Sequence, residues 1–183
     1  MEKKNLKRVV LSMTFACLLG LFLNGEIASA ADAPNDSVIS FEKVQTPVLL
    51  PRVEVPTISR QQKEALTLLN ADRAAHGLPP LRLSLPLSMV AENYARDMKK
   101  RQYFAHTNPE GLSPFDRLKN SGIDFSCAGE NLAFNVSISA AQQAFMDSPG
   151  HKANILNANY TQVGISVITK DSQTLYVVQE FSD

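Results

Sequence analysis

The chain has no tryptophan, only three histidines and only two cysteines among its 183 residues. Two cysteines, Cys17 and Cys127, exclude a disulfide-dense scaffold, so stability must come from a packed core. His-Glu-x-x-His, Gly-x-Ser-x-Gly, a phosphate-cradling glycine loop and Cys-x-x-Cys are all missing. Any active site must therefore be assembled from segments far apart in sequence. Charge of one sign is missing too: 18 basic residues balance 18 acidic ones. That leaves none of the basic footprint a nucleic-acid partner requires. After one N-terminal run, no hydrophobic stretch is long enough to span a membrane.

That run carries the marks of a secretory leader. Lys3, Lys4, Lys7 and Arg8 form a positive region, Val9 to Leu23 is mostly apolar, and Ala28-Ser29-Ala30 places small residues before a cleavage point. Residues 1–30 are thus expected to be a signal peptide, cleaved before Ala31, which makes the protein secreted or part of the cell envelope. Cleavage would take away four basic and two acidic residues, for a net charge of −2. It would also leave Cys127 alone, as a small buried hydrophobe.

Residues 31–58 hold Pro34, Pro47, Pro51 and Pro56 with no sustained helical period, and read as a linker or arm. Residues 59–183 make one domain of ordinary size. A capping box at Ser59 and Gln62 starts a first helix that ends near Gly77. A short extended stretch follows at Leu81, Leu83 and Leu85. A second helix begins near Pro86 to Ser88 and runs to about Gln102, burying Leu87, Val90, Ala91, Tyr94, Ala95 and Met98. Ser113 and Pro114 open a third helix, Ser137 or Ser139 a fourth, and Ser148 and Pro149 a fifth. Alternating Val163, Ile165 and Val167, then Leu175 to Phe181, predict a closing hairpin. Helices first and antiparallel strands last give an α+β pattern, a three-layer α-β-α sandwich with a central antiparallel sheet.

The residues that could carry chemistry are His106 in a loop, Glu130 after a glycine, and His151 in the first turn of the fifth helix. Two imidazoles and a carboxylate could hold zinc with one position open. They could equally act as a base and its orienting group. The bland alternative is an exposed loop histidine, a packed helix histidine and a glutamate tying backbone together. His76, beside Gly77, reads only as a helix C-terminal cap.

Four segments occur in order: Ala105-His106-Thr107-Asn108-Pro109-Glu110-Gly111, Gly129-Glu130-Asn131-Leu132-Ala133, Ser148-Pro149-Gly150-His151-Lys152-Ala153-Asn154-Ile155-Leu156, and Tyr160-Thr161-Gln162-Val163-Gly164. Together they resemble the bacterial branch of the CAP superfamily of SCP-like domains (cysteine-rich secretory proteins, antigen 5, pathogenesis-related 1), over Ser59 to Asp183. The resemblance implies the same α-β-α sandwich. It makes His106 the first histidine of the family's cleft and Glu130 its Gly-Glu-Asn glutamate. Ser148 stands where eukaryotic members have a second glutamate, and Asn159 where they have a second histidine; their stapling cysteines are absent. His151 belongs to the bacterial motif.

The expectation is an exported CAP-domain protein that binds a lipid, peptidoglycan or protein ligand in a cleft lined by His106, Glu130 and His151. His106 and His151 are the candidate ligands for zinc. The alternative is an extracytoplasmic hydrolase using the same cluster, with zinc or as general base.

Overall fold

The structure is a computed structural model; it describes the backbone of Val9–Thr14 and residues 57–183 in full. The expected linker at 31–58, except residues 57 and 58, and most of the expected leader lie outside the described residues.

Local signals set the helices. In α1 (Arg60–Ala75), the Ser59 side chain accepts from Gln62 N at 3.1 Å and Gln62 Oε1 accepts from Ser59 N at 2.9 Å. Two end donors are thereby satisfied reciprocally. Past its C-terminus Gly77 takes φ +73°, a left-handed turn that glycine reaches without a Cβ penalty. β2 is only Arg82–Leu83, and α2 spans Leu85–Arg101 from an N-cap at Ser84. α3 (Pro114–Asn120) has a capping box between Ser113 and Asp116. β3 (Ala128–Asn135) is followed by α4 (Ile138–Met146), capped by Ser137, and α5 (Pro149–Ile155). Ser148 occupies the N-cap of α5 but makes no side-chain capping bond. β4 (Gln162–Thr169) and β5 (Leu175–Ser182) close the chain as the expected hairpin.

Val9–Thr14 forms β1, inside the run read as the leader's apolar region. The sheet order is β1-β3-β5-β4-β2. All pairs are antiparallel except β2–β4, which is parallel over two residues. The sheet is therefore mixed at one edge rather than wholly antiparallel. That edge arises because β2 enters α2 directly, so its direction is set by the helix it feeds.

Period-two alternation divides the core into two layers. On one face, α1, α4 and α5 place Ala65, Leu69, Phe145 and Ile155 against Ala133, Val163, Ile165, Val177 and Phe181. On the other, α2 places Ala91, Tyr94, Ala95 and Met98 against Leu132, Tyr176 and Val178, while Leu87, Val90 and Leu118 enclose Ala128. Complete burial of each large side chain contributes about 1.5–3 kcal/mol, so these two layers hold the three-layer α+β sandwich together. Cys127 is buried and disulfide-bonded. The expectation of a lone thiol concerns a chain without residues 1–30.

Candidate functional site

Consecutive residues of β3 face opposite layers, and this splits the expected site. Glu130 projects toward α2 and α3, where it is fully buried; its Oε1 lies 2.6 Å from His106 Nδ1. Its Oε2 accepts from Arg117 Nη2 at 2.5 Å. An ionised carboxylate can only accept, so His106 Nδ1 donates to Glu130, and in the neutral imidazole Nε2 then holds the lone pair. Nε2 is buried and has no hydrogen-bond partner among the described residues.

Arg117 organises the rest. Nη1 donates to the His106 carbonyl at 2.8 Å and to that of Leu112 at 3.2 Å, fixing the loop that presents the imidazole. The guanidinium carbon lies over the Tyr94 ring, 3.3 Å from its centroid, a largely desolvated cation–π contact. The Tyr94 hydroxyl donates to the Ala105 carbonyl, one residue before His106. Burial pushes that phenol up to about 12. α3 delivers Arg117 and α2 delivers Tyr94, each from a capped helix.

Glu180 completes the group. It pairs directly with Glu130 across β3 and β5, faces the same layer and is fully buried, with Oε1 3.7 Å from Arg117 Nη2. Burial first, and then the charge of Glu130, push its carboxyl well above the ordinary carboxylate range. Glu180 is thereby biased toward its protonated form beside Glu130 and Arg117.

His151 does not join them. It is buried on the opposite layer, with its ring 5.1 Å from that of Phe145. Asn131 points the same way and donates to the His151 carbonyl at 3.3 Å and to Gln179 Oε1 at 3.1 Å. Asn154 donates to Asn131 Oδ1 at 2.9 Å. The bacterial motif around His151 thus ties α5 to the sheet through backbone and amides. His76 bonds the Asp72 carbonyl at 2.8 Å, a helix-end contact as read from the sequence.

A cleft of about 250 Å³ opens on the α2 side, walled by Asn93, Tyr94, Asp97, Asn108, Leu112 and Arg117. Its floor is the Tyr94–Arg117 stack, with His106 and Glu130 buried behind it. This differs from a cleft lined by His106, Glu130 and His151. The zinc expectation also does not fit these positions: among the described residues no three His, Cys, Asp or Glu side chains converge as metal ligands. His106 and His151 sit on opposite sides of the sheet, and the one lone pair left on His106 has no second donor beside it.

Arg117, Tyr94 and Glu180 do not stand out as site residues in the sequence. Glu180 carried a signal: a lone glutamate amid Tyr176, Val177, Val178 and Phe181 must be buried if that strand is. Arg117 had none, because its role depends on a partner in β3.

A capped helical layer on each face of a five-stranded sheet, with a buried His–Glu pair under one layer, defines an SCP-like domain. The model for the cysteine-rich secretory protein family (CAP) matches residues 66–181. Over 117 residues the chain is 38% identical to the uncharacterised YkwD protein of Bacillus subtilis, covering 63% of this chain and 46% of that one. An extracellular SCP-domain protein of Bacillus anthracis superposes with a TM-score of 0.60 at 28% identity, over 70% of this chain and 45% of that one. An outer surface protein of Borrelia burgdorferi gives 0.63 at 22% identity, over 67% and 92% of the two chains, and so shows the shared fold. The chain belongs to the CAP family, and it spans less than half the length of its two Bacillus relatives. No helix among the described residues is long and apolar enough to cross a membrane.

Proposed function

We propose that this is an exported CAP-domain protein that binds a ligand or partner outside the cytoplasmic membrane, through the cleft floored by Tyr94 and Arg117. The observation that carries this reading is Arg117 itself. One largely buried guanidinium meets Glu130, the His106 carbonyl and the Tyr94 ring, and also walls the cleft. A cleft with its floor locked in this way pays little ordering cost on binding. The export half rests on the basic, apolar and small-residue succession of residues 1–30, and on the extracellular B. anthracis neighbour.

The test combines location and binding. N-terminal sequencing of protein recovered from medium and envelope should begin at Ala31; uncleaved protein confined to the cytoplasm would end the export reading. The protein should then cosediment with peptidoglycan sacculi or with lipid vesicles. Asn93→Trp and Asn120→Trp, at the cleft rim and outside the charge cluster, should abolish that cosedimentation while leaving the fold intact. Equal binding by both variants would place the contact elsewhere.

A second reading has its own observation: Glu130 orients His106 and leaves Nε2 as an uncommitted base, the geometry of a general base with its orienter. Hydrolysis of ester or peptide substrates that His106→Gln abolishes, with folding unchanged, would replace binding by catalysis.

A further inference from the structure

A second, larger concavity of about 580 Å³ lies on the same layer, away from the charge cluster, lined by Gln102, Tyr103, Phe104, Phe134, Lys170 and Tyr176. Its base is three aromatic rings. Phe104 stacks on Tyr176 at 6.1 Å and 27°, and Phe134 meets Tyr176 at 5.4 Å and 43°. Phe104 and Phe134 are only half-buried, so part of each ring faces the open space. Lys170 Nζ stands 4.4 Å from the Phe134 centroid, which places a cation at the rim above the aromatic floor.

Two features set this concavity apart from an incompletely filled core edge. Gln102 sits at its rim with φ +58° and ψ +42°, the one non-glycine residue with positive φ among the described residues. It occupies the left-handed helix end where glycine is the unstrained choice. The side chain is thus kept at a cost to the backbone, and it is an exposed amide carrying both donors and an acceptor. The walls are also fixed in advance. Tyr103 donates to Asp97 Oδ2 at 2.5 Å and packs edge-on to Tyr94 at 6.1 Å. Lys170 belongs to a turn closed by its own N–H to the Thr174 carbonyl at 2.9 Å. Asp171, the neighbouring carboxylate, is turned into that same turn, accepting from Gln173 N at 2.9 Å.

We propose that this groove binds a carboxylated pyranose of the uronic or muramic type. The axial C–H face of a pyranose is flat and apolar and lies on aromatic rings, while its hydroxyl edge needs amide-like donors and acceptors. The partly exposed Phe104 and Phe134 rings, backed by the buried Tyr176, supply the first and Gln102 the second. Lys170 supplies the charge for the sugar carboxylate. A volume of about 580 Å³ falls within the usual range for small-molecule sites, roughly 300–1,000 Å³. A long acyl chain is a poorer fit, because the groove is open and carries an ammonium and an amide at its rim. The inference uses none of His106, Glu130 or Arg117, so it stands or falls apart from the cleft reading.

The experiment is an NMR titration of the full chain with N-acetylmuramic acid and with glucuronate, against neutral N-acetylglucosamine and against oleate. Both acids should shift the Tyr103, Phe104, Phe134 and Tyr176 ring signals. The neutral sugar should bind about tenfold more weakly, the value of one lost charge-assisted contact. Lys170→Ala should erase that difference between acid and neutral sugar. Gln102→Gly, which relieves the backbone and keeps the fold, should weaken every sugar. The proposal is overturned if neither acid moves these rings, if Lys170→Ala binds the acids as wild type does, or if oleate moves them at lower concentration than either acid.

Discussion

A carboxylate with no solvent exposure, such as Glu130, costs several kcal/mol to keep ionised unless a cation meets it, and Arg117 is the cation that does. Arg117→Met keeps the bulk over Tyr94 but strands the charge. We expect a loss of about 3 kcal/mol in urea denaturation, the low end for breaking a buried pair because His106 remains beside Glu130. Adding Glu130→Gln to that variant should recover part of the loss; a single-variant cost below about 0.5 kcal/mol would mean the pair is solvated. Glu180 makes the opposite demand. Its carboxyl binds a proton more tightly folded than unfolded, so its contribution is fully present below the unfolded value of about 4.3 and is lost as pH rises through the raised folded value. Glu180→Gln mimics the protonated form at every pH. The variant should match wild type near pH 4 and gain on it steadily from there toward pH 8. Parallel urea midpoints across that range would refute the assignment.

The elements divide by how local their causes are. The helices starting at Ser59, Ser113, Ser137 and Ser148 were all readable from caps and apolar spacing, because those signals act within one turn. The closing hairpin was readable from alternation. Which layer each element joins was not, and that is why His151 was grouped with His106: the start of α5 is a local fact, but its side of the sheet is not. The period-two rule did hold a partial answer, since Glu130 and Asn131 are adjacent in β3 and must face apart. The seat of α2 is similarly non-local. Ser88 Oγ accepts from Ile165 N at 3.1 Å and donates to the Ser84 carbonyl at 2.7 Å, docking the helix start on β4. Gly164 makes that approach possible, because a Cβ there would overlap the backbone of Leu87 and Ser88. Backbone cannot move aside as a side-chain tip can. Gly164→Ala should therefore cost about 3 kcal/mol, the upper part of the overpacking range, and displace Tyr94 from the cleft floor. Chemical denaturation checks the first effect and the Tyr94 ring shifts the second.

At the scale of the whole molecule, the sheet has a claim on the same residues as the proposed export signal. Val9–Thr14 pairs along β3 from Val9 opposite Phe134 to Thr14 opposite Gly129, covering an edge whose N–H and C=O groups would otherwise be open. Val9, Val10, Leu11 and Met13 suit a β-strand and a secretory apolar region alike, so composition could not separate the two roles. Cleavage before Ala31 would remove this strand and leave β3 paired only with β5. Amide exchange followed by NMR distinguishes the states. In the uncleaved chain both sets of β3 amides should be protected. In a chain beginning at Ala31, the alternate β3 amides that point away from β5 should exchange at rates near those of open edges, while those bonded to β5 stay slow. Protection of both sets in the cleaved chain would mean that another strand has taken the edge. The proline-bearing segment 31–58, with Val48, Leu49, Leu50, Val53 and Val55, would then be the first candidate to supply it. Deleting those residues and repeating the exchange would decide between that segment and a second copy of the chain, because pairing between copies would survive the deletion and depend on protein concentration.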